Sequence, residues 1–130
     1  MHLKQLKQLR LLYLENDLII QHQPSTLAIE TVFVNKNVQS ALKLGQARGA
    51  ALVACAEYGL DAHEYNPRQI KQAITGFGAA SKHQIQTLMR HHFNLSQTPN
   101  PDAADALAIA LCHRYHANWQ QRIDSATEST

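Results

Sequence analysis

Residues 100–111 read Asn100-Pro101-Asp102-Ala103-Ala104-Asp105-Ala106-Leu107-Ala108-Ile109-Ala110-Leu111, and this run decides how the chain folds. Pro101 suits the first turn of a helix, where a missing N–H costs nothing, and Asn100 before it can cap. Asp102 and Asp105 stand three residues apart, so their side chains share one helix face. The continuation is almost purely apolar, and a helix that is apolar nearly all round is expected to be buried. Two acids held together at the mouth of a buried helix suit a divalent metal. Acids in a first turn also complement the helix dipole, and this segment alone leaves both readings open.

Around this segment, the 130 residues have the size of one ordinary domain, expected over 1–122 and followed by a polar, disordered tail at 123–130. Cys55 and Cys112 lie in apolar helical stretches and read as buried free thiols of a reducing compartment, not as a disulfide framework. No run is long and apolar enough to cross a bilayer, and no signal-peptide pattern is present, so a cytoplasmic location is the expectation. Net charge is only +2. Its distribution is more informative. Between Asn66 and Pro101 there is no acid, while Arg68, Lys71, Lys82 and Arg90 are present; a second acid-free stretch, Thr31 to Ala56, holds Lys36, Lys43 and Arg48. Such blocks fit a polyanion or a solvated surface equally.

Helical spacing runs from His2 to about Gln21. The apolar run Leu27 to Val34 predicts a strand with one charge, Glu30, in its middle, a costly placement unless the charge is paired or bound to metal. Asn37 to Tyr58 predicts a long helix closed by Gly59. Within it, Gly45 and Gly49 lie four apart on one face, and a helix-interior glycine costs roughly 1 kcal/mol relative to alanine. Close approach of another backbone, from this chain or a second copy, would offset that cost. Leu60 to Tyr65 predicts a second strand; Pro67 to Thr75 and the Ser81/Gln84 capping box predict two further helices. Strands interleaved with helices indicate an α/β class with parallel pairing. Two strands are few for several apolar helices to cover, so part of the sheet is expected to be missing.

Glu30, Asp102 and Asp105 share one physical problem, an acid where burial discourages acids. A hard divalent cation solves it for all of them, and Mg2+ in particular takes carboxylate oxygens together with substrate phosphates. Metal-bound carboxylate sites cleave phosphodiesters, and the basic blocks would hold such a backbone.

Three runs carry a family resemblance: Ala28-Ile29-Glu30-Thr31-Val32-Phe33, Ser40-Ala41-Leu42-Lys43-Leu44-Gly45-Gln46-Ala47-Arg48-Gly49, and Asp102-Ala103-Ala104-Asp105-Ala106-Leu107-Ala108-Ile109-Ala110. Together, from about Leu9 to about His116, they resemble the RuvC family of Holliday junction resolvases, which has a ribonuclease H-like fold, a mixed sheet flanked by helices. The resemblance implies a homodimeric, Mg2+-dependent endonuclease (Mn2+ a possible substitute) making symmetric nicks in four-way junction DNA, with RuvA and RuvB as partners and no membrane association. It implies Glu30, Asp102 and Asp105 as catalytic and metal-binding carboxylates, Lys71 and Lys82 as DNA contacts near the cut, Phe33 as a stacking aromatic, and the Gly45–Gly49 helix as the dimer interface. Arg68 joins the DNA-binding set as a phosphate contact, with a solvent-facing role as its alternative.

One departure stands out. The family opens with a strand ending in a Gly-x-Asp-Pro-Gly type motif whose Asp is the first catalytic carboxylate, and no such motif occurs in this sequence. The expectation is a chain lacking the first three strands, with an unpaired edge on the Glu30 strand and doubtful cutting activity. The alternatives are a non-catalytic junction-binding dimer and an inactive truncated fragment. Among smaller features, Cys112, His113 and His116 lack an evident fourth metal ligand, the two histidines read as polar side chains facing solvent, and Trp119 reads as an anchor for the last helix.

Overall fold

The computed structural model describes residues 18–31, 37–76 and 80–129. In order these form a short helical segment α1 (18–22), β1 (Thr26–Glu30), α2 (Val38–Glu57), β2 (Asp61–Tyr65), α3 (Pro67–Thr75), α4 (Lys82–His92) and α5 (Pro101–Glu128). They fall into two compact units, Met1–Glu64 and Tyr65–Thr130. Most of the helix expected from His2 lies outside the described residues.

The first unit is a β-α-β arrangement. β1 and β2 pair as neighbours in a small parallel sheet, and Thr26 Oγ1 at the start of β1 donates to the Asp61 carbonyl at the start of β2, at 3.0 Å. A parallel pair needs a long crossover, which α2 supplies. Asn37 caps α2 by accepting from the backbone N–H groups of Gln39 and Ser40. At its other end Gly59 takes φ +67, which lets its N–H reach the Ala56 carbonyl and the Leu60 N–H reach the Cys55 carbonyl at 2.8 Å. That paired closure satisfies carbonyls a helix end would leave orphaned. Arg48 on α2 forms an ion pair with Glu64 on β2. Ala54 and Cys55 are the buried positions of α2.

The second unit is three helices, with α3 and α4 both packed on α5. Reciprocal capping boxes open α3 (Asn66 with Gln69) and α4 (Ser81 with Gln84), and Asn100 caps α5 through the Ala103 N–H at 2.8 Å. These are the caps the sequence indicates. The core is Ile70, Ile85, Met89, Ala104, Ala108, Leu111 and Cys112, with Tyr65 at its margin. Truncating the fully buried Met89 to alanine would cost about 2–5 kcal/mol.

Two expectations about α5 are corrected. Only one stripe of it is buried, at 104, 108, 111 and 112, and Asp102, Asp105 and Ala106 are exposed. The reason is that α3 and α4 pack along one side of α5, leaving Leu107 and Ile109 half covered beside the stripe. Further, α5 does not stop near Arg122; it continues to Glu128, so residues 123–128 are helical where a disordered tail was expected. Local bonds one turn apart hold this end, among them Gln120 Nε2 to Asp124 Oδ1 at 2.9 Å and Thr127 Oγ1 to the Ile123 carbonyl at 2.9 Å. Trp119 does not anchor the helix. It is 63% exposed, as are large parts of Tyr115 and Ile123.

Candidate functional site

Asp102 and Asp105 occupy the first turns of α5, one turn apart, as their spacing requires. Packing of α3 and α4 against α5 brings basic side chains within electrostatic reach of Asp105. Lys82 is the first residue of α4 and Lys71 lies on α3; both act electrostatically on Asp105. Gln86 Nε2 on α4 donates to the Pro99 carbonyl at 3.0 Å, tying α4 to the loop that leads into α5. The second unit thus gathers two acids and two lysines that are separated by up to 34 positions in the chain.

The charge balance at Asp105 is unfavourable to its ionised form. Loss of water around the carboxyl raises it above the ordinary carboxylate range, Lys82 pulls it down, Asp102 pushes it up, and Lys71 pulls it down. Desolvation together with the like charge wins over the two lysines. The residue itself remains open to solvent, so the raised value reflects the protein on one side of the carboxylate and not enclosure. A cation shared with Asp102 would relieve the same imbalance. Two hard carboxylate oxygen donors beside an open face fit Mg2+, which is held by one or two carboxylates plus substrate phosphates. Among the described residues no group of three or more His, Cys, Asp or Glu side chains gathers in metal-binding geometry.

The other predicted positions divide as follows. Glu30 belongs to the first unit, as the half-buried last residue of β1; the residues expected to continue that strand, 32–34, lie outside the described residues, and Phe33 with them. Arg68 is exposed one turn before Lys71 on α3. Gly45 and Gly49 lie on α2, and a Cβ built on either meets nothing within 4 Å among the described residues. Intramolecular close approach, one of the two readings of these glycines, therefore finds no support there. Around them Val38, Leu42 and Val53 are at least half exposed. Cys112, His113 and His116 form no metal group.

Sequence reasoning missed one feature. The Tyr65 hydroxyl lies 2.6 Å from His113 Nδ1, and the Tyr65 ring also contacts the His116 ring at 5.2 Å. The available signal was a tyrosine at a strand end directly before a cap-and-proline helix start.

Comparison with known proteins bears directly on this arrangement. A family model described as "Crossover junction endodeoxyribonuclease RuvC" matches residues 3–113. The RuvC of Pseudomonas putida is 54% identical over 100 residues, covering 77% of this chain and 58% of that protein. The RuvC of Alkalilimnicola ehrlichii is 50% identical over 119 residues, 91% of this chain and 72% of the relative. The chain thus spans little more than half the length of the Pseudomonas relative. Among solved structures, Thermus thermophilus RuvC superimposes with TM-score 0.75 at 36% identity, over 85% of this chain and 68% of that one. The T. thermophilus RuvC in complex with Holliday junction substrate gives TM-score 0.83 at 33% identity, over 92% and 73%. With residues 3–113 of the chain matched by the family model and α/β elements of the ribonuclease H-like kind, the chain belongs to the RuvC family.

Proposed function

We propose that this chain serves as a Holliday junction resolvase, an Mg2+-dependent, structure-selective DNA endonuclease acting on four-way junctions in recombination and repair. The observation that carries the proposal is the Asp102–Asp105 pair, with Lys71 and Lys82 in electrostatic reach of Asp105, on three helices of a RuvC-family chain. In this reading Asp102 and Asp105 hold the metal, and Glu30 is proposed, from the family resemblance, as a further catalytic carboxylate. Bound there, Mg2+, with Mn2+ as a substitute, would supply Lewis-acid activation of water and of the scissile phosphate. Lys71 and Lys82 neutralise phosphates flanking the cut, and Arg68, exposed on the same helix as Lys71, contacts the backbone further out. Phe33 is proposed to stack on a base at the junction.

The active form is proposed to be a homodimer. A four-way junction has a two-fold axis, so a two-fold dimer places one site on each of two like strands. The α2 face bearing Gly45 and Gly49 is the proposed interface: it is apolar, exposed and free of close neighbours among the described residues. The branch-migration proteins RuvA and RuvB are proposed partners. The proposed location is the cytoplasm, consistent with two free cysteines; no helix among the described residues is long and apolar enough to cross a membrane.

A second reading, junction binding without cutting, asks only for the basic side chains that α3 and α4 carry. One experiment addresses both. The purified chain is mixed with a synthetic four-way junction and with linear duplex, with and without Mg2+. A retarded junction band that duplex does not compete away, accompanied by paired nicks only when Mg2+ is present, supports the resolvase. The same band with intact strands supports the clamp. Equal affinity for junction and duplex rules out both.

A further inference from the structure

Tyr65 is the last residue of β2 and stands directly before Asn66, the cap of α3. Its phenol is buried where the start of α3 meets α5, and its hydroxyl pairs with His113 Nδ1 at 2.6 Å. His113 and His116, one turn apart on α5, both present their rings to the Tyr65 ring, at 5.9 and 5.2 Å. Cys112 Sγ, beside them, makes a weaker contact with the Gln69 carbonyl of α3 at 3.9 Å. These ties fall at one end of the α3–α5 pairing. Lys71 lies midway along α3 and the acids toward the other end: Asp105 precedes His113 by eight residues, roughly 12 Å along the helix axis. Nothing between Tyr65 and Lys71 can take up slack. The capping box of Asn66 and Gln69, Pro67 in the first turn and the buried Ile70 make the segment one rigid helix. A rotation of the α3 start about α5 would therefore carry Lys71 with it.

We propose that Tyr65 is a positioning residue, whose hydrogen bond to His113 fixes α3 on α5 so that Lys71 is held beside the Asp102–Asp105 end to meet a DNA phosphate. The proposal rests on the reading of Lys71 as a phosphate contact, and is tested so that the two can fail separately. Tyr65→Phe keeps the ring and deletes only the hydroxyl; His113→Ala breaks the same bond from α5.

Binding of a labelled synthetic four-way junction to the full chain is measured by anisotropy in EDTA across a series of salt concentrations. Lys71→Ala should lower the slope of log K against log salt by about one, the loss of one phosphate contact. Tyr65→Phe should lower the slope by a similar amount, with several-fold weaker binding at low salt, and His113→Ala should match it. The Tyr65→Phe/Lys71→Ala double variant should be no weaker than Lys71→Ala alone, because both remove one contact. A merely structural loss would lower the melting temperature and leave the slope unchanged. A wild-type slope in folded Tyr65→Phe, or additive losses in the double variant, overturns the positioning role while Lys71 keeps its own. An unchanged slope in Lys71→Ala overturns the phosphate reading and the positioning role with it.

Discussion

Asp102 stands one helical turn before Asp105 at the head of α5, and the two share one exposed face of that helix. Loss of water around the carboxyl lifts Asp105 above its ordinary value of 3.8, and the charge of Asp102 adds to this against the pull of Lys82 and Lys71. A raised carboxyl favours its protonated form in the fold. Its contribution to stability is thus present below the unfolded value and lost as pH rises through the folded one. At neutral pH the ionised Asp105 is a destabilising group. Asp105→Asn is expected to raise the melting temperature of the metal-free chain at pH 7, with the gain disappearing below about pH 3.8. Mg2+ should stabilise the original chain and do so less in the variant, since a ligand of the folded state raises stability by mass action. Thermal melts in EDTA and in Mg2+ at two pH values check both effects; a lower melting temperature for Asp105→Asn at pH 7 contradicts the charge balance.

Gly45 and Gly49 separate the fold of α2 from its proposed use. A Cβ at either position meets nothing within 4 Å among the described residues. Replacing either by alanine should therefore stabilise the monomeric helix by up to about 1 kcal/mol, the propensity difference alone. If the α2 face is a dimer interface, Gly45→Leu should leave the monomer folded and weaken association, because close approach of two helices depends on the missing side chains. Denaturant unfolding at low protein concentration reads the first effect and sedimentation equilibrium the second. An unchanged dimer constant in Gly45→Leu removes this face from the interface.

Cys112 is fully buried, and burial raises its thiol above the ordinary value of 9.0. Burial likewise raises Tyr65, with Cys112 adding to the effect. Both groups are held in their neutral forms. The stability they contribute is complete below the unfolded thiol value and is lost as pH climbs past it. The chain should therefore lose stability above about pH 9. Neither Cys112 nor the similarly buried Cys55 should react with a thiol reagent at pH 8 until the chain unfolds, since reactivity requires an accessible thiolate. Labelling rates in buffer and in denaturant decide this, and fast native labelling at Cys112 contradicts the packing of α5 on α3.

The parts of this structure that the sequence made legible are those encoded locally. Asn66 with Pro67, Ser81 with Gln84, Asn100 with Pro101, and Gly59 each mark a helix end through a few neighbouring residues, and each marks it correctly. The meeting of Lys71 and Lys82 with Asp105 is of another kind. Composition indicated only a basic block, the family resemblance put both lysines near the cut, and the packing of three helices brings their charges within electrostatic reach of Asp105. Tyr65 was not legible, because a hydrogen bond to a residue 48 positions away leaves no periodic trace. The burial of α5 is not legible either, because periodicity reports an apolar face without saying whether anything covers it.

Trp119 shows the same ambiguity, and it can be measured directly. It is the sole tryptophan of the chain, so its fluorescence is that of one site. Tyr115, Trp119 and Ile123 recur at four-residue spacing along α5, the pattern of a buried stripe, yet all three are exposed. The last buried residue of the helix is Cys112 and the last ring contact is that of His116 with Tyr65, so the turns beyond are held by local hydrogen bonds. The native chain should therefore emit as a largely hydrated indole and be readily quenched by acrylamide. Trp119→Ala should change unfolding stability by less than about 0.5 kcal/mol, the range for surface substitutions. A blue-shifted, shielded emission that appears only as protein concentration rises would instead show that a second copy covers this face, and Trp119→Ala would then lower the association constant.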